Sequence, residues 1–137
     1  MSLGRAEHIN RLIGRPYHLG AQGPDSFDCY SLTRTLQAGL FGREMPAFAA
    51  PAQAGRMAIA AAVAIHPERG RWQEMPHPQD GAIVTMARHL QGYHLGTFIA
   101  EDGGLVVHAL EGTGVVASRL CELEAEGWRK FRFHIPL

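Results

Sequence analysis

A chain of 137 residues, 46% of them hydrophobic, can build one domain with a substantial core but not two of ordinary size. Its 13 Lys and Arg residues balance 13 Asp and Glu, so no net charge draws it to nucleic acid or to an anionic membrane surface. The longest apolar run, Met57 to Ile65, falls well short of the roughly 20 residues of a membrane span.

The opening stretch carries Ile9, Leu12 and Ile13 at helical spacing and reads as a short helix closed by Gly14 and Pro16. Residues 1–20 hold neither the apolar block nor the small-residue cleavage site of a signal peptide, so synthesis in the cytoplasm is expected, with any exit left to another machine. Gly20 to Ser26 has turn chemistry without an apolar period, and Phe27 to Leu40 then restores helical spacing through Leu32, Leu36 and Leu40. Cys29 therefore falls at a helix start. An insertion at about 43–79 follows: a Pro-punctuated loop, an Ala-rich helix from about Pro51 to Ile65, and a second loop with prolines at 67, 76 and 78. After Asp80 the period becomes that of strands, at Ala82 to Ala87, Tyr93 to Ala100, Gly104 to Leu110, Gly114 to Ala117 and Trp128 to His134. Helices first and strands second indicate a single α+β domain with an antiparallel sheet.

Asp28 can cap the helix that Cys29 begins, and the unpaired N–H groups of a first turn favour a thiolate, so a lowered Cys29 pKa is expected. A thiolate at a helix start, beside backbone donors for an oxyanion, suits acyl transfer. Cys121, in a charged stretch, reads as a small buried hydrophobe, and two cysteines without a CxxC spacing imply no metal knuckle. His94 stands within a strand pattern, sharing a face with Gly96 and Phe98, where a polar ring needs a partner. Glycine at 96 leaves room for another backbone to come close.

His108 lies on the next strand, and whether the two rings can meet depends on the turn between them. A two-residue Asp102-Gly103 turn pairs Glu101 with Gly104, sets His94 opposite Glu111 and sends His108 to the other face. A three-residue loop from Glu101 to Gly103, with Gly103 left-handed, pairs Ala100 with Gly104 and keeps both histidines on one face. The longer loop, or a bulge of the same parity, is expected. His8, His18, His66, His77 and His89 fall in helix ends or loops and read mostly as solvated. With no HExxH-like spacing, neither they nor His134 suggest a metal site, and no cofactor is called for.

These residues, in this order, resemble the NlpC-type cell-wall peptidases, and among them the subset encoded with phage tail assembly genes. Gly14-Arg15-Pro16-Tyr17 with Gly20 is similar to the Gly-x-Pro-Tyr-x-x-Gly loop of that family, and Phe27-Asp28-Cys29-Tyr30-Ser31-Leu32 to its Asp-Cys-Ser-Gly-Leu motif. Tyr93-His94-Leu95-Gly96 is similar to its Ser-His-Val-Gly strand, and Val107-His108-Ala109 to the strand of its third residue. The resemblance implies a papain-like core with the nucleophile helix packed on the sheet. It also implies a catalytic set of Cys29, His94 and His108, and hydrolysis of amide bonds in peptidoglycan stem peptides. Tyr17 is expected to line the site and help hold the oxyanion, and Asp28 to meet the free amine of a stem peptide, unless they serve only as a wall and a cap. Tyr30 and Ser31 depart from the commoner Ser-Gly. Phage tail proteins are then expected partners, with a slow or inactive tail-assembly component and an exported amidase effector as alternatives.

Overall fold

The computed structural model describes residues 3–45, 72–88 and 92–136. Helix α1 (Leu3–Leu12) and helix α2 (Cys29–Phe41) precede strand β1 (Trp72–Met75), β2 (Ile83–Arg88), β3 (Gly92–Ile99), β4 (Leu105–Leu110) and β5 (Gly114–Ser118). A short helix α3 (Leu120–Ala125) then leads into β6 (Arg129–Pro136). The strands form one antiparallel sheet in the order β1-β6-β2-β3-β4-β5. This is the α+β arrangement expected from the sequence, with the helix that begins at Cys29 against the sheet.

The two faces of the sheet bury different sets. Leu32 and Leu36 on α2 are fully buried, and with Ile9 and Leu12 of α1 they pack on Ile99, Val107 and Ala109. Each such side chain contributes about 1.5–3 kcal/mol by leaving water. On the other face Val84, Met86, Phe98 and Val106 pack with Leu123 of α3 and with Trp128. Because both faces are covered, β2 has no exposed position, which is why its sequence is a run and not an alternation.

The hairpin from β3 to β4 pairs Thr97 with Val107, Phe98 with Val106 and Ile99 with Leu105, the parity that keeps positions 94 and 108 on one face. The turn spans residues 100–104; Asp102, Gly103 and Gly104 all have positive φ, and Gly104 donates its N–H to the Glu101 carbonyl at 2.8 Å.

Two elements differ from expectation. Within the inserted segment, residues 72–75 form a strand on β6. Its four residues, Trp-Gln-Glu-Met, bury only Trp72 outright and so lack an alternating pattern. Helix α3 is also missing from the sequence reading, being six residues anchored by one buried side chain, Leu123. The Ala-rich stretch at about 51–65 lies outside the described residues.

Strand β6 has a local irregularity with consequences for the site. Thr85 pairs with Arg132 and Ala87 with Arg129, so the β6 side holds one residue more than the β2 side. Lys130 takes up that extra residue with φ 60, a β-bulge in the left-handed region. A bulge reverses the alternation of side chains, so Trp128 joins Phe131, Phe133 and Ile135 on one side of the sheet.

Candidate active site

The corner that carries Cys29 is built mainly from backbone hydrogen bonds. Gly14 donates to Val115 and Val115 to Arg15, both at 2.9 Å, which ties the first loop to β5. A side chain at Gly114 would sit 2.5 Å from the Arg15 carbonyl oxygen, so only glycine permits that approach. The loop then doubles back, with Phe27 donating to Pro16 and His18 to Phe27, each at 3.1 Å. Asp28 caps α2: its Oδ1 accepts from the Ser31 N–H at 2.8 Å and its Oδ2 from the Gly20 N–H at 3.2 Å. Ser31 returns the contact, its Oγ lying 3.0 Å from the Asp28 N–H, which completes a capping box. Ser31 therefore fixes the helix start, and Tyr30 and Ser31 are both buried without displacing α2 from the sheet.

Cys29 is the first residue of α2 and is half-buried. Its sulfur lies against the backbone N–H of Leu95, an arrangement the sheet makes possible. Phe98 donates to Ala82 and accepts from Gly81, both at 2.8 Å, so along β3 alternate residues, Gly96 and His94, turn their N–H groups toward β2. Those of Leu95 and Thr97 turn toward β4. The β3–β4 pairing stops at Thr97 and Val107, and the N–H of Leu95 is directed to the Cys29 sulfur instead. The thiol does not have the low pKa expected of a helix start. Burial, reinforced by the neighbouring Asp28 carboxylate, pushes it up to about 12 against the pull of the Leu95, Cys29 and Tyr30 N–H groups. Desolvation of a thiolate outweighs the first turn of one helix here.

His94 and His108 meet on the other face of that gap. The His94 Nε2 lies 2.9 Å from the His108 Nδ1, with the rings at 78°. The far nitrogen of His108, Nε2, lies 3.1 Å from the Ser118 hydroxyl on β5. Two proton arrangements satisfy the chain: in one Ser118 donates to His108 Nε2 and His108 Nδ1 donates to His94 Nε2; in the other His94 donates from Nε2, His108 accepts at Nδ1, and His108 donates from Nε2 to Ser118. In the second, His94 keeps Nδ1 unprotonated, the form a base needs. Burial holds His94 well below the usual imidazole range, with His108 and the Arg88 guanidinium adding to it, and burial alone lowers His108 to about 4. Both rings are neutral at pH 7, so the resting pair is thiol and imidazole. Gly96 makes the crossing possible, since a Cβ there would meet Val106 Cγ1 at 2.5 Å and His108 Cβ at 3.1 Å.

The other residues singled out in the sequence are placed as follows. Tyr17 is half-buried, bridges to Phe27 and, with His18, Leu19 and Glu111, lines a cavity of about 390 Å³. Asp28 is 4% exposed, with its oxygens turned to backbone N–H groups. Burial raises its pKa against the pull of those bonds. Cys121 is exposed on α3, not buried, because α3 turns only Leu123 inward. His18 and His77 are exposed, whereas His8 is half-buried against Gly39. His134 is buried and sits 3.1 Å from the Thr85 hydroxyl. Among the described residues no group of three or more His, Cys, Asp or Glu could hold a metal ion, and no helix is long and apolar enough to cross a membrane. Ser118 and Trp128, which stacks on His94 with ring centroids 4.8 Å apart, were not evident in the sequence. Ser118 could have been found by extending the register argument one hairpin further, since β5 pairs Val116 with His108.

A helix start presenting a cysteine to an antiparallel sheet, beside a pair of linked histidines on adjacent strands, defines a papain-like cysteine-peptidase fold. The NlpC/P60 family model matches residues 14–135, and the chain belongs to that family. The crystal structure of the NlpC/p60 domain of the peptidoglycan hydrolase SagA has the same fold, with a TM-score of 0.58 and 18% identity over 96% of each chain. No curated protein sequence matches the chain.

Proposed function

We propose that this protein is a cysteine endopeptidase that hydrolyses amide bonds in peptidoglycan stem peptides, with Cys29 as nucleophile, His94 as base and His108 as the residue that orients His94. The observation that carries the reading is the convergence of the Cys29 sulfur on the Leu95 N–H, next in the chain to a His94 already bonded to His108. The similarity to a domain of a peptidoglycan hydrolase supports the choice of substrate.

Because the thiol and imidazole are both neutral at rest, the proton leaves Cys29 as the sulfur attacks. His94 accepts it at Nδ1 while Nε2 stays on His108. The carbonyl oxygen gains charge near the first turn of α2, where the Cys29 N–H and the Tyr17 side chain are the groups to receive it. Collapse expels the amine, which takes the proton back from His94 and leaves a thioester on Cys29. Water, deprotonated by His94, then releases the acid and restores the thiol. Asp28 positions the nucleophile by fixing the loop to α2, and a stem-peptide amine would meet it only at the edge of that cap.

Incubation with muropeptides under reducing conditions is expected to release new amine termini, and Cys29→Ala to abolish the release. Absence of cleavage by the wild type, or equal cleavage by the variant, refutes the assignment.

The aromatic residue after the nucleophile, Tyr30, supports association with a phage tail as the route of delivery. The raised thiol pKa also favours a second reading, a tail component with slow turnover. Particles that still assemble with Cys29→Ala, together with a wild-type thiol inert to alkylation, would select that second reading.

A further inference from the structure

Beside the histidine pair lies an aromatic wall that the reaction scheme does not use. Trp128 is 2% exposed and stacks on His94 with ring centroids 4.8 Å apart and planes at 24°. The Arg88 guanidinium lies over the same indole, 4.3 Å from its centroid. Three features hold the indole there. Trp128 donates its backbone N–H to Leu123 at the end of α3 at 3.0 Å, the Lys130 bulge turns it to the His94 side, and Gly127 leaves space for the Arg88 chain, whose Cδ would be 3.3 Å from a Cβ. The indole N–H has no hydrogen-bond partner among the described residues. A buried, unsatisfied N–H is unfavourable, so this position is held for the face of the ring and not for its edge.

We propose that Trp128 is a positioning residue for His94: the indole face, steadied by Arg88, fixes the plane of the imidazole so that Nε2 stays on His108 and Nδ1 is presented to Cys29. This rests on the reading of His94 as the base. A planar stack of this kind restrains rotation about the bond between Cβ and the ring, which the single hydrogen bond to His108 leaves partly free. Rotation would separate the base from the thiol, and small misplacements of a reacting group are costly in rate. Among the described residues, the ionisable groups that act on His94 are His108 on β4 and Arg88 on β2. Arg88 therefore has a second effect, since its charge opposes the imidazolium that forms during attack.

The test combines muropeptide kinetics with NMR of the His94 ring in three variants. Trp128→Phe keeps a flat face and removes the orphaned N–H; it is expected to retain kcat within about threefold at unchanged KM. Trp128→Leu keeps an apolar side chain without the face; it is expected to lose about 10- to 100-fold in kcat with KM unchanged. The carbon-bound ring protons of His94 should be shifted upfield by the aromatic face in the wild type and in Trp128→Phe, and not in Trp128→Leu. Arg88→Gln should move the His94 titration to higher pH. The NMR measurements need no substrate, so they stand even if the wild type cleaves no muropeptide, and Trp128→Phe and Arg88→Gln decide the matter if Trp128→Leu does not fold. Full kcat in a folded Trp128→Leu, unshifted His94 protons in the wild type, an unmoved or lowered titration in Arg88→Gln, or a raised KM in Trp128→Phe would each overturn the proposal.

Discussion

The two faces of the sheet solve different problems with the same strands. The α2 face is mainly aliphatic: Leu32, Leu36, Ile99, Val107 and Val115 interlock beside Phe27, and their contribution is to hold the start of α2, and hence Cys29, at a fixed height above the sheet. The opposite face holds two imidazoles, an indole and a guanidinium, linked by hydrogen bonds and ring contacts. Damage to the first face should appear as lost stability, and damage to the second as lost chemistry or altered pH dependence.

Leu36→Ala breaks the comparison at its aliphatic side. A fully buried leucine removed from a packed core costs about 2–5 kcal/mol, which urea denaturation would read. A cost below about 1 kcal/mol would mean that α2 is not anchored as described.

The histidine face sets the acid limit of stability. His94 and His108 are buried neutral, with folded pKa values below the ordinary 6.5. Between that value and about 4, to which burial lowers His108 in the folded chain, the unfolded chain takes up protons that the folded chain refuses. Their stabilising effect is thus complete above 6.5 and diminishes as pH falls, by up to about 1.4 kcal/mol per pH unit for each ring. The thiol gives the alkaline counterpart: with a folded pKa of about 12, Cys29 ionises first in the unfolded chain, so stability declines as pH rises above 9. Thermal melts across this range should trace a dome, and a profile flat between pH 4 and 7 would be inconsistent with two buried neutral rings.

Ser118→Ala sharpens the comparison by touching the polar chain alone. It removes the hydroxyl next to His108 Nε2 at a cost of about 1 kcal/mol. It also frees His108 to change tautomer, which should lower kcat by roughly tenfold with KM unaltered. Unchanged kcat would place Ser118 outside the relay. Lys130→Gly tests the bulge that turns Trp128 inward. Glycine tolerates φ 60, and thermal melting should show stability unchanged or raised by up to about 1 kcal/mol; a marked loss would show that the Lys130 side chain itself holds β6.

Much of the corner around Cys29 is readable in the sequence because it is local. Asp28 and Ser31 stand at cap spacing around Cys29, and the shared face of His94 and His108 follows from hairpin parity alone. What escaped depends on contacts between distant segments. The rise of the thiol pKa comes from burial, reinforced by the Asp28 carboxylate, which a helix start does not reveal. Trp128 faces His94 only because a lysine adopts a positive φ, a conformation that no composition or period signals. Strand β1 and helix α3 are too short for a period to show, and Cys121 lies exposed because α3 spends its inward side on Leu123.

The most direct measurement is an acid-quenched reaction with a stem peptide, followed by mass analysis of the protein. The mechanism requires an acyl group, equal in mass to the N-terminal product less water, on the peptide that contains Cys29, and none in Cys29→Ala. Cleavage that proceeds with no adduct, or with the adduct on Cys121, would contradict it.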